Sequence, residues 1–354
     1  MIHNHYHSSK FYPQFNKLPT PVENTISTSP TRWGIIGCGK IAEKFADDLM
    51  SVPNAVLNAV ASRSLEKAQE FAKPYNCPNT FGSYEELANS GLVDVIYIAT
   101  PHAQHCENTL MCLEAGVPVL CEKAFAINSQ MVKSMIAKSQ EKQVFLMEAI
   151  WTRFHPAINQ IKGIIENGTI GEIKHIVADF GFLANYDPEG RLFNPELTGG
   201  SLMDIGIYPL FISKLLLGVP SQVKAVGVMA PTGVDMNMSI ALAFPSGATA
   251  SLFSTLAAQT DTTCTIYGTK GKIYIHGRFH ETFGFTLTIE GEEPKEISTE
   301  RNGWGYSYEA IDVQRCLAEG RIENDKLPLQ FSLELMELMD EIRAQVGLKY
   351  PQEV

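Results

Sequence analysis

Trp33-Gly34-Ile35-Ile36-Gly37-Cys38-Gly39-Lys40-Ile41-Ala42 decides how this chain is read. An apolar run of strand length leads into Gly-x-Gly-x-x-Ala, and beyond it Ile41, Phe45 and Leu49 recur every four residues, as along one face of a helix. Each small residue has a mechanical reason. The first glycine permits the tight turn, the second lets backbone approach a pyrophosphate, and Ala42 keeps helix and strand close while the helix N-terminus faces the phosphates. Gly37, Cys38, Gly39, Lys40 and Ile41 are therefore expected to hold a dinucleotide.

Outward from that turn, apolar runs at 56–61, 93–99, 118–121 and 144–147 alternate with helical stretches at 64–73, 104–115 and 129–142 and a capping box, Ser83-x-x-Glu86. Alternation of this kind over 32–150 predicts an α/β Rossmann domain with a doubly wound parallel sheet. From 151 to 354 the pattern changes. A helix at 156–167 stops at Gly168, strands follow at 173–182, 222–229, 238–244, 248–255, 262–267 and 272–276, and helices are expected at 201–217, 306–318 and 331–346. This is an α+β domain with a largely antiparallel open sheet, suited to binding substrate and to oligomerisation. Residues 1–31, with Pro13, Pro19, Pro21 and Pro30, read as a poorly ordered extension. His3, His5 and His7 alternate there and can chelate, but a polar leader fixes no geometry and no metal site is assigned.

Composition narrows the partners. Among 354 residues, 28 Lys and Arg face 39 Asp and Glu, and the formal charge of −11 argues against a surface that neutralises nucleic-acid phosphates. The apolar stretch 205–219 is interrupted by Pro209 and Lys214 and falls short of the roughly 18 apolar residues of a membrane span. Seven cysteines, an odd number without CxxC spacing, read as reduced thiols, and no charged and apolar leader opens the chain, so a cytoplasmic location is expected.

The second strand ends Ala61-Ser62-Arg63-Ser64, with no acid to hold a ribose 2′-hydroxyl. Arg63 can pair with a 2′-phosphate and stack on adenine while Ser62 and Ser64 donate hydrogen bonds, which favours NADP over NAD. The plainer alternative is that Ser64 caps the next helix and Arg63 is solvated.

Two further stretches are Cys121-Glu122-Lys123-Ala124 after a strand and Gly199-Gly200-Ser201-Leu202-Met203-Asp204-Ile205-Gly206-Ile207-Tyr208 opening a helix. With Ala99-Thr100-Pro101-His102 and His105, Met147-Glu148-Ala149, Trp151-Thr152-Arg153-Phe154, and Gly303-x-Gly305-Tyr306 before Glu309-Ala310, the chain from about Arg32 onward resembles the glucose-fructose oxidoreductase and inositol dehydrogenase (Gfo/Idh/MocA) family. The likeness is to its branch of dimeric trans-dihydrodiol and NADP-linked xylose dehydrogenases. The resemblance implies hydride transfer between a nicotinamide and a carbinol or carbonyl carbon of a cyclic sugar, polyol or dihydrodiol. It makes Lys123, Asp204 and Tyr208 the catalytic set and implies a homodimer or higher homo-oligomer.

Residue chemistry permits those roles. Asp204 and Tyr208 are four apart and share one helix face. An ammonium such as Lys123 beside Tyr208 would lower its pKa from about 10 and make it a usable acid or base. Asp204 can orient either partner or bind a substrate hydroxyl. Thr100, Pro101, His102, His105, Glu122 and Lys123 are expected at the nicotinamide end, and Trp151, Arg153, Phe154 and Phe180 in a substrate wall. Two departures stand out: Ala124 replaces the family's proline after the lysine, and Pro209 removes a donor just past Tyr208. Two rival functions share this fold, a non-catalytic NAD(P)-binding regulator and an NAD-dependent glycosidase.

Overall fold

β1 (Thr31–Ile36) is buried at its last four positions, as expected of a strand covered on both faces. In the computed structural model, which describes residues 30–353, it lies inside a six-stranded sheet with β2 (Ala55–Ala61), β3 (Asn79–Phe81), β4 (Val95–Ile98), β5 (Val119–Glu122) and β6 (Leu146–Ala149). The order is β3-β2-β1-β4-β5-β6 and every pairing is parallel. Strand order reverses between β1 and β4, so a ligand crevice opens at their carboxyl ends. Helices α1 (Lys40–Leu49), α2 (Leu65–Ala72), α3 (Tyr84–Ala88), α4 (His105–Glu114) and α5 (Ser129–Lys142) make the crossovers. β6 starts two residues later than the apolar run suggests, because Gln143 turns left-handed and Val144 N–H closes α5 on Ser139 O. His3, His5, His7, Pro13, Pro19 and Pro21 lie outside the described residues.

The chain continues through α6 (Pro156–Glu166), β7 (Ile173–Gly181), α7 (Ile207–Leu217), β8 (Gln222–Met229), β9 (Asp235–Ala243), β10 (Thr249–Thr255), β11 (Cys264–Gly268), β12 (Gly271–Ile275), β13 (Gly284–Ile289), β14 (Lys295–Ser298), α8 (Ser307–Ala318) and α9 (Leu329–Val346). The eight strands run β14-β13-β12-β11-β7-β10-β9-β8, parallel at β7/β10 and antiparallel elsewhere. β3, β13 and β14 were not read from the sequence; β3 has three residues, and the exposed Lys-Glu-Ile-Ser of β14 offers no alternation.

One face of this sheet carries α7, whose residues 207–214 are all buried. The segment Pro195–Leu217 has the length and apolar composition of a membrane-crossing helix, yet 83% of its most apolar window is buried inside the protein. Among the described residues the opposite face is open. Tyr274 faces Thr265, which faces Val177, and the same register carries through Ser251 and Ala241 to Lys224, so Val226 and Val228 at alternate positions share that face. Val177, Val226, Val228, Tyr267 and Tyr274 are exposed on it.

Candidate active site

At the carboxyl end of β1, Gly37 has φ +94°, and a Cβ there would stand 2.8 Å from Ala99 O. Only glycine fits that turn. Gly39 caps α1 without a side-chain bond, and a Cβ on it would meet nothing within 4 Å. The first N–H groups of α1 thus face open space, the cradle a diphosphate fills, and the residues present fit a dinucleotide. The cleft, of about 550 Å³, is lined by Gly39, Lys40, Ile41, Thr100, Pro101, His102, Glu122 and Lys123 among others. Ala61 pairs with Ile36, which brings Ser62 and the exposed Arg63 beside the cradle. Ser64 Oγ is engaged as the N-cap of α2, accepting Lys67 N–H at 3.3 Å.

Two residues expected to contact cofactor are turned away. Cys38 directs its thiol at Ala61 O, 3.6 Å off, and burial pushes that thiol up to about 11. His105 is fully buried with both ring nitrogens 2.8 Å from the carbonyls of Thr100 and Ala124, tying the β4 and β5 loops together. Burial holds His105 down at about 4 against the pull of those carbonyls, so the ring is neutral and donates to one of them. His102 does line the cleft, with Nδ1 3.4 Å from Thr198 O, and burial lowers it to about 3.

Beyond β5, Glu122 takes the Tyr97 hydroxyl and the Lys123 N–H, and the Lys123–Ala124 peptide is cis. Lys123 Nζ donates to the Asp204 main-chain oxygen at 2.7 Å, lies 3.4 Å from Asp204 Oδ1 and stands 5.1 Å from the centre of the Tyr208 ring. A π-helical turn, Leu202–Gly206, makes that approach possible. Its ladder steps back five residues, Ile207 N–H meeting Leu202 O, and Pro209 has no N–H for Ile205 four residues back or Asp204 five back. The irregularity expected at Pro209 is this π turn, and the lysine occupies the Asp204 carbonyl that it leaves accessible. Arg191 forks onto the Asp204 carboxylate at 2.8 and 3.1 Å.

Burial works to raise the Asp204 carboxyl, but the Lys123 and Arg191 charges overcome it and hold the group below the ordinary carboxylate value. Burial likewise opposes charge on Lys123, and the negative charge that Tyr208 carries when ionised, with the Asp204 and Glu122 carboxylates, outweighs it, so the amine stays an ammonium. Tyr208 departs from the expectation of a lowered phenol. Burial raises it, and Lys123 together with the Trp151 N–H offsets only part of the rise.

The Tyr208 phenol oxygen accepts Trp151 Nε1–H at 2.9 Å, and Trp151 stacks on Tyr306 at 4.3 Å with 9° between the planes. With Phe180, His280 and Arg278 these rings line a second cavity of about 420 Å³, which shares Lys44, Lys123, Arg191 and Asp204 with the cofactor cleft. Arg153 and Phe154 are not in it. Arg153 is buried with its guanidinium on Lys326 O and Asn159 Oδ1, and Phe154 is a core residue. In a 3-10 turn successive side chains point in different directions, so only Trp151 of the three reaches the cavity.

The far end of α1 is fastened to the same wall. Asp48, buried, accepts the N–H groups of Trp304 at 2.8 Å, Gly305 at 2.7 Å, Tyr306 at 2.7 Å and Ser307 at 3.3 Å. A Cβ on Gly303 would run into that carboxylate. Asp48 thus caps α8 across more than 250 residues of sequence and fixes the backbone of Tyr306.

Sequence reasoning passed over Lys44, Arg191, Arg278, His280 and Tyr306 as site residues. Lys44 follows Lys40 by four on α1, a spacing that could have flagged it. Arg191, Arg278 and His280 sit in irregular segments with no periodicity to read.

Residues 31–150 match the family described as "Oxidoreductase family, NAD-binding Rossmann fold", and residues 158–274 match the "GFO/IDH/MocA C-terminal domain". Trans-1,2-dihydrobenzene-1,2-diol dehydrogenase of Mus musculus is 38% identical over 334 residues, covering 91% of this chain and 98% of the relative. Its Xenopus laevis counterpart is 39% identical over 332 residues, covering 91% and 99%. Among solved structures, aldose-aldose oxidoreductase from Caulobacter crescentus, complexed with glycerol, superposes with a TM-score of 0.82 at 24% identity. Levoglucosan dehydrogenase in complex with NADH and levoglucosan gives 0.83 at 22%. Each comparison spans 90% of this chain and 98% of the other, and at that identity it speaks for the fold.

Proposed function

Because this chain belongs to the Gfo/Idh/MocA oxidoreductase family, we propose that it is an NADP-linked dehydrogenase. It moves hydride between nicotinamide and a CH–OH or C=O carbon of a cyclic sugar, polyol or dihydrodiol. One observation carries the reading: Lys123 Nζ, the Asp204 carboxylate and the Tyr208 phenol meet where the dinucleotide cleft and the aromatic cavity adjoin. The dihydrodiol named in the relatives supports the substrate class. Arg63 beside the cradle, in a strand end without an acid, supports NADP over NAD.

When bound, the nicotinamide supplies the hydride acceptor or donor, and the proton is left to this chain. Tyr208 accepts from Trp151, and its own proton has no acceptor among the described residues, so it is free to pass to a carbonyl oxygen as that oxygen becomes a hydroxyl. The Lys123 ammonium stabilises the phenolate left behind, and Asp204 keeps that ammonium charged and aimed. In the oxidative direction the alcohol proton passes to the ionised phenol. The free thiols of the seven cysteines support a reducing, cytoplasmic compartment. The open sheet face with its exposed valines and tyrosines supports assembly as a homodimer, which sedimentation of Val226→Lys against the parent protein tests.

The protonation states give the test. Tyr208 stands above its ordinary value, so the phenol is protonated at neutral pH and poised for reduction. Oxidation needs the ionised form. Initial rates of NADP reduction with a dihydrodiol or aldopyranose should climb across about pH 6 to about pH 10, while carbonyl reduction with NADPH stays level and falls only at the alkaline end. A common optimum in both directions would defeat the assignment of the proton to Tyr208.

A further inference from the structure

The substrate cavity that Lys123 lines also holds a histidine that the proton-transfer scheme does not use. His280 belongs to a short 3-10 turn, Phe279–Glu281, and is 4% exposed. Its ring stacks on Phe180 at 4.3 Å and 26°, tilts against Tyr208 at 4.9 Å and 45°, and meets Trp151 edge-on at 6.0 Å. Its backbone oxygen accepts the Thr152 hydroxyl, which fixes the turn against the segment that carries Trp151. Packing from three sides leaves the imidazole one orientation.

Packing does not account for the choice of histidine, since phenylalanine would stack equally well and demand no hydrogen bond. Nδ1 is buried and has no hydrogen-bond partner among the described residues. Burial, then Arg278, Lys123, His155 and Lys44, disfavour a second proton, so the ring is neutral and carries one N–H. An unpaired buried acceptor is tolerated better than an unpaired buried donor. The proton is therefore expected on Nε2, and the residue lines the cavity that holds Tyr208, Lys123 and Asp204.

We propose that His280 is a specificity-determining residue: its imidazole donates a hydrogen bond to a second substrate oxygen, on the carbon next to the reacting one, and so selects vicinal diols and polyols over simple cyclic alcohols. The inference rests on the dehydrogenase reading above. Tyr208 serves the reacting oxygen and His280, against the same ring, serves its neighbour. Arg191 and Lys44 lie toward the cofactor cleft and Arg278 is paired with Glu281, which leaves His280 and the Tyr306 hydroxyl as the neutral donors among the aromatic rings, and of the two only His280 packs directly against Tyr208.

The experiment compares kcat/KM for trans-cyclohexane-1,2-diol and cyclohexanol, with NADP, in the parent protein, His280→Phe and His280→Gln. The parent should prefer the diol by about 10- to 100-fold, the range of one well-placed hydrogen bond in a dry site. His280→Phe should lose that preference, read as the ratio of kcat/KM for the diol to that for cyclohexanol falling toward one. His280→Gln, which keeps a donor, should recover part of it and carries the test if the phenylalanine variant does not fold. An unchanged diol-to-alcohol ratio in the folded variants overturns the proposal, and so does a parent that shows no preference. A parent that oxidises neither compound nor any cyclic alcohol of a wider panel removes the dehydrogenase reading, and this inference with it.

Discussion

The two walls that meet at Lys123 are built from different materials. On the cofactor side the phosphate cradle is backbone: the glycine turn and the N–H groups at the start of α1, all within six consecutive residues. On the substrate side it is side chain: Trp151, Phe180, Tyr208, His280 and Tyr306, drawn from five separate segments and held by ring contacts. A backbone wall depends on conformation and tolerates side-chain change. A wall of packed rings can be retuned one ring at a time, at the cost of disturbing its neighbours.

The severest way to break this comparison is at the junction. Lys123→Met keeps the bulk of the side chain and removes the charge that both walls share; turnover should fall by about 10² to 10⁴ with the NADP Kd near its original value, as read by steady-state rates and cofactor titration. Wild-type turnover would mean that Lys123 only braces Asp204. Next comes Gly37→Ala, the smallest possible side chain on the backbone wall. The methyl enters a φ of +94° against Ala99 O, and cofactor affinity should drop by roughly 10- to 100-fold. If binding is unaffected, the turn is not the cradle.

Arg63→Ala sharpens the comparison, since it tests a side chain placed beside that backbone wall. Loss of a charge-assisted contact should weaken NADP by about tenfold or more and leave NAD nearly unchanged. Equal weakening of both would remove the 2′-phosphate assignment. The smallest effect on chemistry belongs to Asp48→Ala, which leaves four N–H groups at the head of α8 without their acceptor. A stability loss of about 1 to 3 kcal/mol in urea unfolding, with the NADP Kd retained, is expected. An unchanged unfolding midpoint would show that solvent satisfies those donors.

The same contrast explains what could be read from the chain alone. Gly37 to Ala42 declares itself because one continuous turn does the work and its residue types follow from the backbone it must adopt. Asp204 and Tyr208 were legible as a helical pair, and Lys123 through its place in an ordered set of motifs. Arg153 and Phe154 were misplaced because adjacency to Trp151 says nothing about direction inside a 3-10 turn. Tyr208 was expected with a lowered phenol since the ammonium was foreseeable and the depth of its burial was not. Arg191 was legible only as part of the loop 185–198, where polar groups that set specificity were expected, and His280 left no trace, for it becomes part of the site only when β7, α7 and the segment before β13 converge.

The Asp48 clasp bears on how this architecture can be taken apart. α1 is a rod of ten residues, about 15 Å long, with the phosphate cradle at one end and the clasp at the other. A chimera that grafted a foreign dinucleotide domain onto residues 151–353 would inherit a working cradle from its donor. Unless the donor helix also ended in a carboxylate at the position of Asp48, it would arrive without the acceptor that seats Tyr306. The transplant would bind nucleotide but lose the stability that this clasp contributes, so the exchangeable module in this fold is one residue more demanding than its glycine motif suggests.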